Sequence, residues 1–233
     1  MRNNIMALAC AVMAGALALP AAASTVSVVV PGSANPYLAG LPDGTTALTG
    51  DSAPGQSPVL VSGLGIMGGV TLTFAATGQV SLGLGLGPDP DGGSPIGHQR
   101  GEENGFSAVT MPRVSLLGVF LDDMLPTTTA APAALNFSPP GSRNYLTLSP
   151  LLKQIFFIGD GAADDGTVQQ IVAPAGASRL YLGTMDSYGW YNNTGQFNVD
   201  ISMDPIAPAT IPLPAGLLLL LGGLGTMGLL RRS

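Results

Sequence analysis

From residue 24 to residue 202, short runs of β-forming residues alternate with clusters of glycine, proline and aspartate. That punctuation leaves little room for anything but short strands. Eight runs stand out: 25–30 (TVSVVV), 69–74 (GVTLTF), 79–86 (QVSLGLGL), 116–121 (LLGVFL), 155–158 (IFFI), 168–172, 179–183 and 196–202. They predict an all-β domain over residues 24–205, an antiparallel β-sandwich with jelly-roll-like connections. The last two runs alternate most clearly and read as a terminal hairpin, with Leu180 and Leu182 facing one way and Phe197, Val199 and Ile201 facing the core. Helix signals are sparse. Ser149-Pro150 before Leu151-Leu152-Lys153 predicts a single helical turn. Residues 35–58 and 126–143 are rich in Pro, Thr, Ser, Ala and Gly and read as long surface loops.

The two ends belong to a different kind of chain. Arg2 with Asn3 and Asn4 precedes an apolar run over 5–19, and Ala21-Ala22-Ala23 supplies small residues for cleavage before Ser24. Residues 1–23 are therefore read as a secretory signal peptide. Cys10 lies inside that run, so the exported part has no disulfide framework, thiolate metal site or cysteine nucleophile. After a short linker at 206–210, residues 211–230 form an apolar stretch of twenty, about the length of a membrane span, closed by Arg231 and Arg232.

The order at the C-terminus is more specific than a plain anchor. A proline motif, Ile211-Pro212-Leu213-Pro214-Ala215, opens the apolar span, glycines interrupt it, and the two arginines end it. Residues 211–233 resemble the C-terminal sorting signal of the PEP-CTERM class in its VPLPA-type variant, with Ile211 in place of valine. The resemblance implies export across the inner membrane of a Gram-negative bacterium and a precursor transiently tethered by the C-terminal helix. It further implies recognition by an exosortase-like enzyme, cleavage near Pro212, Pro214 and Ala215, and delivery to the cell surface or extracellular matrix.

Between the terminal segments lie fourteen acidic residues against five basic ones, a formal charge of −9. Such a surface repels nucleic acid and anionic lipid and suits cations or neutral partners. Enzyme chemistry finds little support. His98 is the sole histidine, no G-x-S-x-G elbow occurs, and zinc would lack its preferred Cys and His ligands. The adjacent acids Glu102-Glu103 and Asp122-Asp123 read as solvated loop residues, so the expectation is a protein without enzymatic activity.

Oxygen ligands are better supplied. Residues 186–195 (DSYGWYNNTG) offer the carboxylate of Asp186 and the side-chain amides of Asn192 and Asn193, with glycines that let backbone carbonyls turn inward. Calcium takes six to eight hard oxygens in irregular geometry, which such a loop can provide. Consecutive asparagines on a regular strand point to opposite faces, so both reach one ion only where the chain bends. The plainer reading is ordinary turn chemistry with packed aromatics. Residues 87–93 (GPDPDGG) and 160–166 (DGAADDG) also carry oxygens, but lack the spacing of a calcium loop and read as solvated turns.

The stretch RLYLGTMDSYGWYNNTGQFNVDI resembles the C-terminal strand, loop and strand of the bacterial calcium-dependent galactophilic lectins. In that family calcium bridges the protein and two vicinal sugar hydroxyls. The resemblance implies metal ligands at Asp186, Asn192 and Asn193, a carbonyl at Trp190 or Gly189, and another at Leu82, from the fainter match over 75–82. The family's sugar-contacting loop has a histidine and, three residues on, a glutamine before glycine. Here only Asn104-Gly105 matches, and His98 comes three residues early, so galactose specificity does not transfer. His98, Asn104 and Tyr188 are the expected sugar contacts. The resulting expectation is an exported, calcium-dependent, lectin-like protein that binds a neutral glycan or exopolysaccharide. The alternative is a structural matrix protein in which calcium only ties the loop down.

Overall fold

The computed structural model describes residues 24–204 with the exception of 84 and 86. The expected signal peptide, linker and sorting segment, with Pro212, Pro214, Ala215, Arg231 and Arg232, lie outside the described residues. Within them the chain is all-β: twelve strands in three mostly antiparallel sheets, with short 3-10 turns and no α-helix. No helix among the described residues is long and apolar enough to cross a membrane.

The largest sheet has five strands in the order β1 (Ser24–Pro31), β12 (Thr194–Asp204), β3 (Thr71–Ser81), β10 (Gln170–Val172) and β8 (Thr147–Leu148). Its spine is the antiparallel pair β3 and β12, in register from Thr194 opposite Ser81 to Asp204 opposite Thr71. The second sheet runs β2 (Val59–Leu60), β11 (Arg179–Thr184), β6 (Leu116–Leu121) and β9 (Phe156–Phe157). A third, smaller sheet joins β4 (Pro95–Gly97), β5 (Val109–Pro112) and β7 (Leu135–Asn136). Two pairs are parallel, β10 with β8 and β5 with β7.

The expected alternation on β12 holds: Phe197, Val199 and Ile201 are buried while Asn198 and Asp200 between them are exposed. Each such apolar side chain contributes about 1.5–3 kcal/mol on burial. They share one hydrophobic core with Leu72 and Phe74 of β3, Leu116 to Leu121 of β6, and Leu180 and Leu182 of β11.

Four expectations need correction. First, β11 and β12 do not form a hairpin. β11 pairs with β2 and β6, and β12 with β1 and β3. The nine residues between them carry the chain from one sheet to the other, anchored in the shared core by Met185 and Trp190.

Second, the runs 69–74 and 79–86 are not two strands. Residues 71–81 form one strand, and Gly78 is not a turn residue. With φ at +108°, it brings the backbone so close to β12 that a Cβ would run into the Gln196 carbonyl.

Third, residues 35–58 are not a loose surface loop. Asn35, Tyr37, Leu38, Ala39, Thr49, Asp51 and Ala53 are buried, and the 3-10 turn Pro36–Leu38 lies against β11 and β6 of the second sheet. Thr184 N donates to Ala34 O at 3.0 Å, and a Cβ at Gly183 would sit 2.8 Å from that same oxygen. This cover buries both faces of β11, whose residues 180–184 are all enclosed.

Fourth, residues 149–153 form a turn rather than a helical one. Lys153 takes a left-handed φ of +63°, and Gln154 Oε1 accepts from Leu151 N at 2.9 Å. The loop at 126–143 is largely on the surface, as expected.

Candidate functional site

The connection from β11 to β12 is organised by two carboxylates. Asp186 is buried, and its Oδ1 accepts from Ser187 N at 2.6 Å and Tyr188 N at 3.2 Å, so it shapes its own turn. Gly189 then takes φ +79°, and residues Trp190–Asn192 make one 3-10 turn. The Trp190 ring is wholly enclosed and donates through Nε1 to Thr184 O at 2.7 Å. Its carbonyl accepts from Asn193 N at 3.0 Å and closes the turn.

The second carboxylate is Asp51, from the cover segment. It has no exposed surface and four hydrogen-bond donors. Oδ2 accepts from Asn35 Nδ2 at 3.0 Å, Thr49 Oγ1 at 2.8 Å and Trp190 N at 3.1 Å, and Oδ1 accepts from Tyr191 N at 2.9 Å. A buried carboxylate is tolerated when its lone pairs are filled in this way. Asp51 therefore caps the turn that displays Trp190, Tyr191 and Asn192. Sequence reasoning missed it because the two partners that tie it to the turn, Trp190 N and Tyr191 N, lie about 140 positions away. The local pair Thr49-x-Asp51 and the cap Asn35-Pro36, where Asn35 Oδ1 accepts from Tyr37 N at 2.9 Å, were the available signals.

The two expected asparagines divide. Asn192 is exposed, whereas Asn193 is buried. Asn193 Nδ2 donates to Gly32 O at 3.2 Å, which fixes the amide's orientation and leaves Oδ1 buried without a hydrogen-bond partner. The amide lies beside Asp186. Burial pushes the Asp186 carboxyl above its ordinary range, while the Tyr188 and Ser187 N–H groups and the Asn193 side chain pull it down and the charge on Asp51 pushes it up. Leu82 follows β3 and is exposed on the flank of the same turn: Ser81 pairs with Thr194, and a Cβ on Gly83 would lie 3.2 Å from Asn192 O.

The segment around residue 98 does meet this loop, since Gln99 N donates to Ser187 O at 3.1 Å. His98 itself points inward. Its ring stacks on Tyr37 at 4.0 Å, lies 5.7 Å from Trp190, and its Nε2 is 2.8 Å from Glu103 Oε2 with both side chains enclosed. Glu103 Oε1 accepts from Leu48 N. His98 is thus a packing residue hydrogen-bonded to Glu103, not a surface contact. Asn104 is likewise occupied: at φ +53° it donates Nδ2 to Tyr37 O at 3.0 Å. Of the three expected sugar contacts only Tyr188 is exposed, and the Arg100 guanidinium lies 5.7 Å above its ring. Tyr191 is exposed beyond the same turn.

The donors gathered here are all oxygens. The Asp186 carboxylate and the orphaned Asn193 Oδ1 are ligands of the kind a hard cation such as Ca²⁺ takes. Asp51, already saturated, supports the loop. Among the described residues no group of three or more His, Cys, Asp or Glu residues converges as a metal site, so carbonyl and amide oxygens would supply most of the coordination. Compared with known proteins, the chain matches no family model and no curated protein.

Proposed function

We propose that the chain is an exported surface or matrix protein of a Gram-negative bacterium. Its two larger sheets are read as a jelly-roll-like β-sandwich, and the crossing between them as a calcium-dependent, lectin-like site for a neutral glycan. The observation that carries this reading is Asn193 Oδ1, a buried amide oxygen without a partner, on the side chain whose N–H end faces the buried carboxylate of Asp186. A cation would satisfy the first and offset the charge of the second. Asp186, Asn193 and the carbonyl of Trp190 are its expected holders, with Asn192 and Leu82 at the rim. Tyr188 and Tyr191 supply aromatic faces for a sugar ring.

The test is a thermal melt in calcium against chelator. At a calcium concentration one hundred times Kd the protein gains about 2.7 kcal/mol, roughly 5–10 °C for a chain of this size. Asp186→Asn keeps the acceptor for Ser187 and Tyr188 and removes the charge, and should erase the difference. Superimposable wild-type curves would sink the metal site. One observation favours the alternative of a matrix protein whose cation is purely structural: His98 and Asn104 are turned to internal partners. A glycan array run with and without calcium separates the two, since calcium stabilisation without glycan binding selects the structural role. The exosortase reading predicts a mature chain lacking Arg231 and Arg232, which intact-mass measurement checks.

A further inference from the structure

A second polar site lies away from the loop crossing. The turn before β4, the 3-10 turn Pro140–Arg143, and the loop at 160–166 enclose a cavity of about 130 Å³ lined by Asp91, Gly93, Arg143, Asn144, Phe157 and Asp164. Its walls are fixed. Asp91 Oδ1 accepts from Asp160 N at 3.0 Å. Asn144 and Asp164 bond reciprocally, Nδ2 to Oδ2 at 2.6 Å and Asp164 N to Oδ1 at 2.9 Å. Arg143 Nη1 is anchored on Phe137 O at 2.8 Å, and among the described residues its remaining N–H groups make no hydrogen bond outside Phe137 and Ser138, and no ion pair.

Arg143 and Asp91 thus face the same space without closing into a salt bridge. A lone metal ion would meet the guanidinium, and a lone anion would meet two carboxylates. A hydroxyl both donates and accepts, so a vicinal diol can donate to Asp91 and accept from Arg143 at once. At about 130 Å³ the cavity is too small to enclose a whole pyranose, but it opens to solvent, so the diol edge of one ring can enter it while the rest of the ring stays outside. From this we infer that the cavity is a metal-independent binding site for a single sugar ring, engaged through a vicinal diol held between the Asp91 carboxylate and the Arg143 guanidinium. The site stands whether or not a cation binds at Asp186.

The experiment is amide NMR on the full-length chain in detergent micelles, titrated with methyl pyranosides of glucose, galactose and mannose in the presence of chelator. The expected result is shifts concentrated at the Gly92, Gly93 and Asn144 amides, with the Trp190 indole signal unmoved. Ala162 also lines the cavity, and Ala162→Phe should fill it and abolish those shifts. Asp91→Asn, which keeps an acceptor for Asp160 N, should weaken binding at least tenfold. An unchanged amide fingerprint elsewhere certifies that either variant is folded. No shift at these amides with any of the three sugars overturns the site. So do shifts that persist in both variants, or shifts produced by glycine betaine but by none of the sugars.

Discussion

Asp51 and Asp186 are both buried carboxylates within reach of each other's charge, yet their surroundings set them to opposite tasks. Asp51 receives four hydrogen bonds and ties the cover segment to the turn at Trp190–Asn192. Removing it strands several buried donors together. Asp51→Ala should therefore cost about 3–5 kcal/mol, the range for breaking a buried charged network. Thr49→Ala, which deletes one donor, should cost about 1 kcal/mol. Urea unfolding followed by Trp190 fluorescence reads both, and equal losses in the two variants would show that Asp51 is not the hub. Asp186 spends one oxygen on its own turn and faces the amide of Asn193, whose oxygen has no partner. Asp186 is legible from the residues as a loop carboxylate, whereas nothing local marks Asp51, because its hydrogen bonds to Trp190 and Tyr191 cross some 140 residues.

At the level of elements, the residues that alternate or cluster in strongly apolar runs were readable and the rest were not. Residues 116–121 match β6 end to end, since a six-residue apolar run buried on both faces can hardly be anything else. β2, β7 and β8 are two residues long and owe their pairing to tertiary contact, so no local signal marks them. Gly78 shows how a real signal misleads. The break between the runs 69–74 and 79–86 falls at Gly78, but here glycine permits close approach between β3 and β12 within one strand. Gly78→Ala should cost about 3 kcal/mol, from strain at positive φ and displacement of Gln196, measurable as a lower urea midpoint at unchanged slope. Lys153 offers a contrasting case. Its Nζ donates to Pro126 O at 3.2 Å, Thr129 O at 2.9 Å and Ala130 O at 2.8 Å, pinning the loop at 126–134 from outside the core. Lys153→Met should change global stability by less than about 1 kcal/mol while speeding proteolytic cleavage within that loop. Equal cleavage rates in both proteins would show that the ammonium does not hold it.

Over the whole molecule, the excess of acid makes proton and cation binding compete for the same groups, and this gives the metal reading its sharpest test. The folded pKa of Asp186 lies above the ordinary value of 3.8, chiefly because of burial. Between those two values the folded chain keeps a proton that the unfolded chain has released. Raising the pH through that window therefore removes stability from the cation-free protein, and lowering it restores stability. A bound cation requires the ionised carboxylate, so its contribution moves the other way and fades as the proton returns. Melting temperatures in calcium and in chelator should be furthest apart near neutral pH. They should converge from both sides as the pH falls through the folded pKa of Asp186. Asp186→Asn should flatten that part of the chelator curve and remove the gap at every pH. Other carboxylates titrate in the same acid range and tilt both curves together, which is why the gap, and not either curve, is the quantity to follow. A gap that stays constant down to the ordinary carboxylate range would place any bound calcium somewhere other than Asp186.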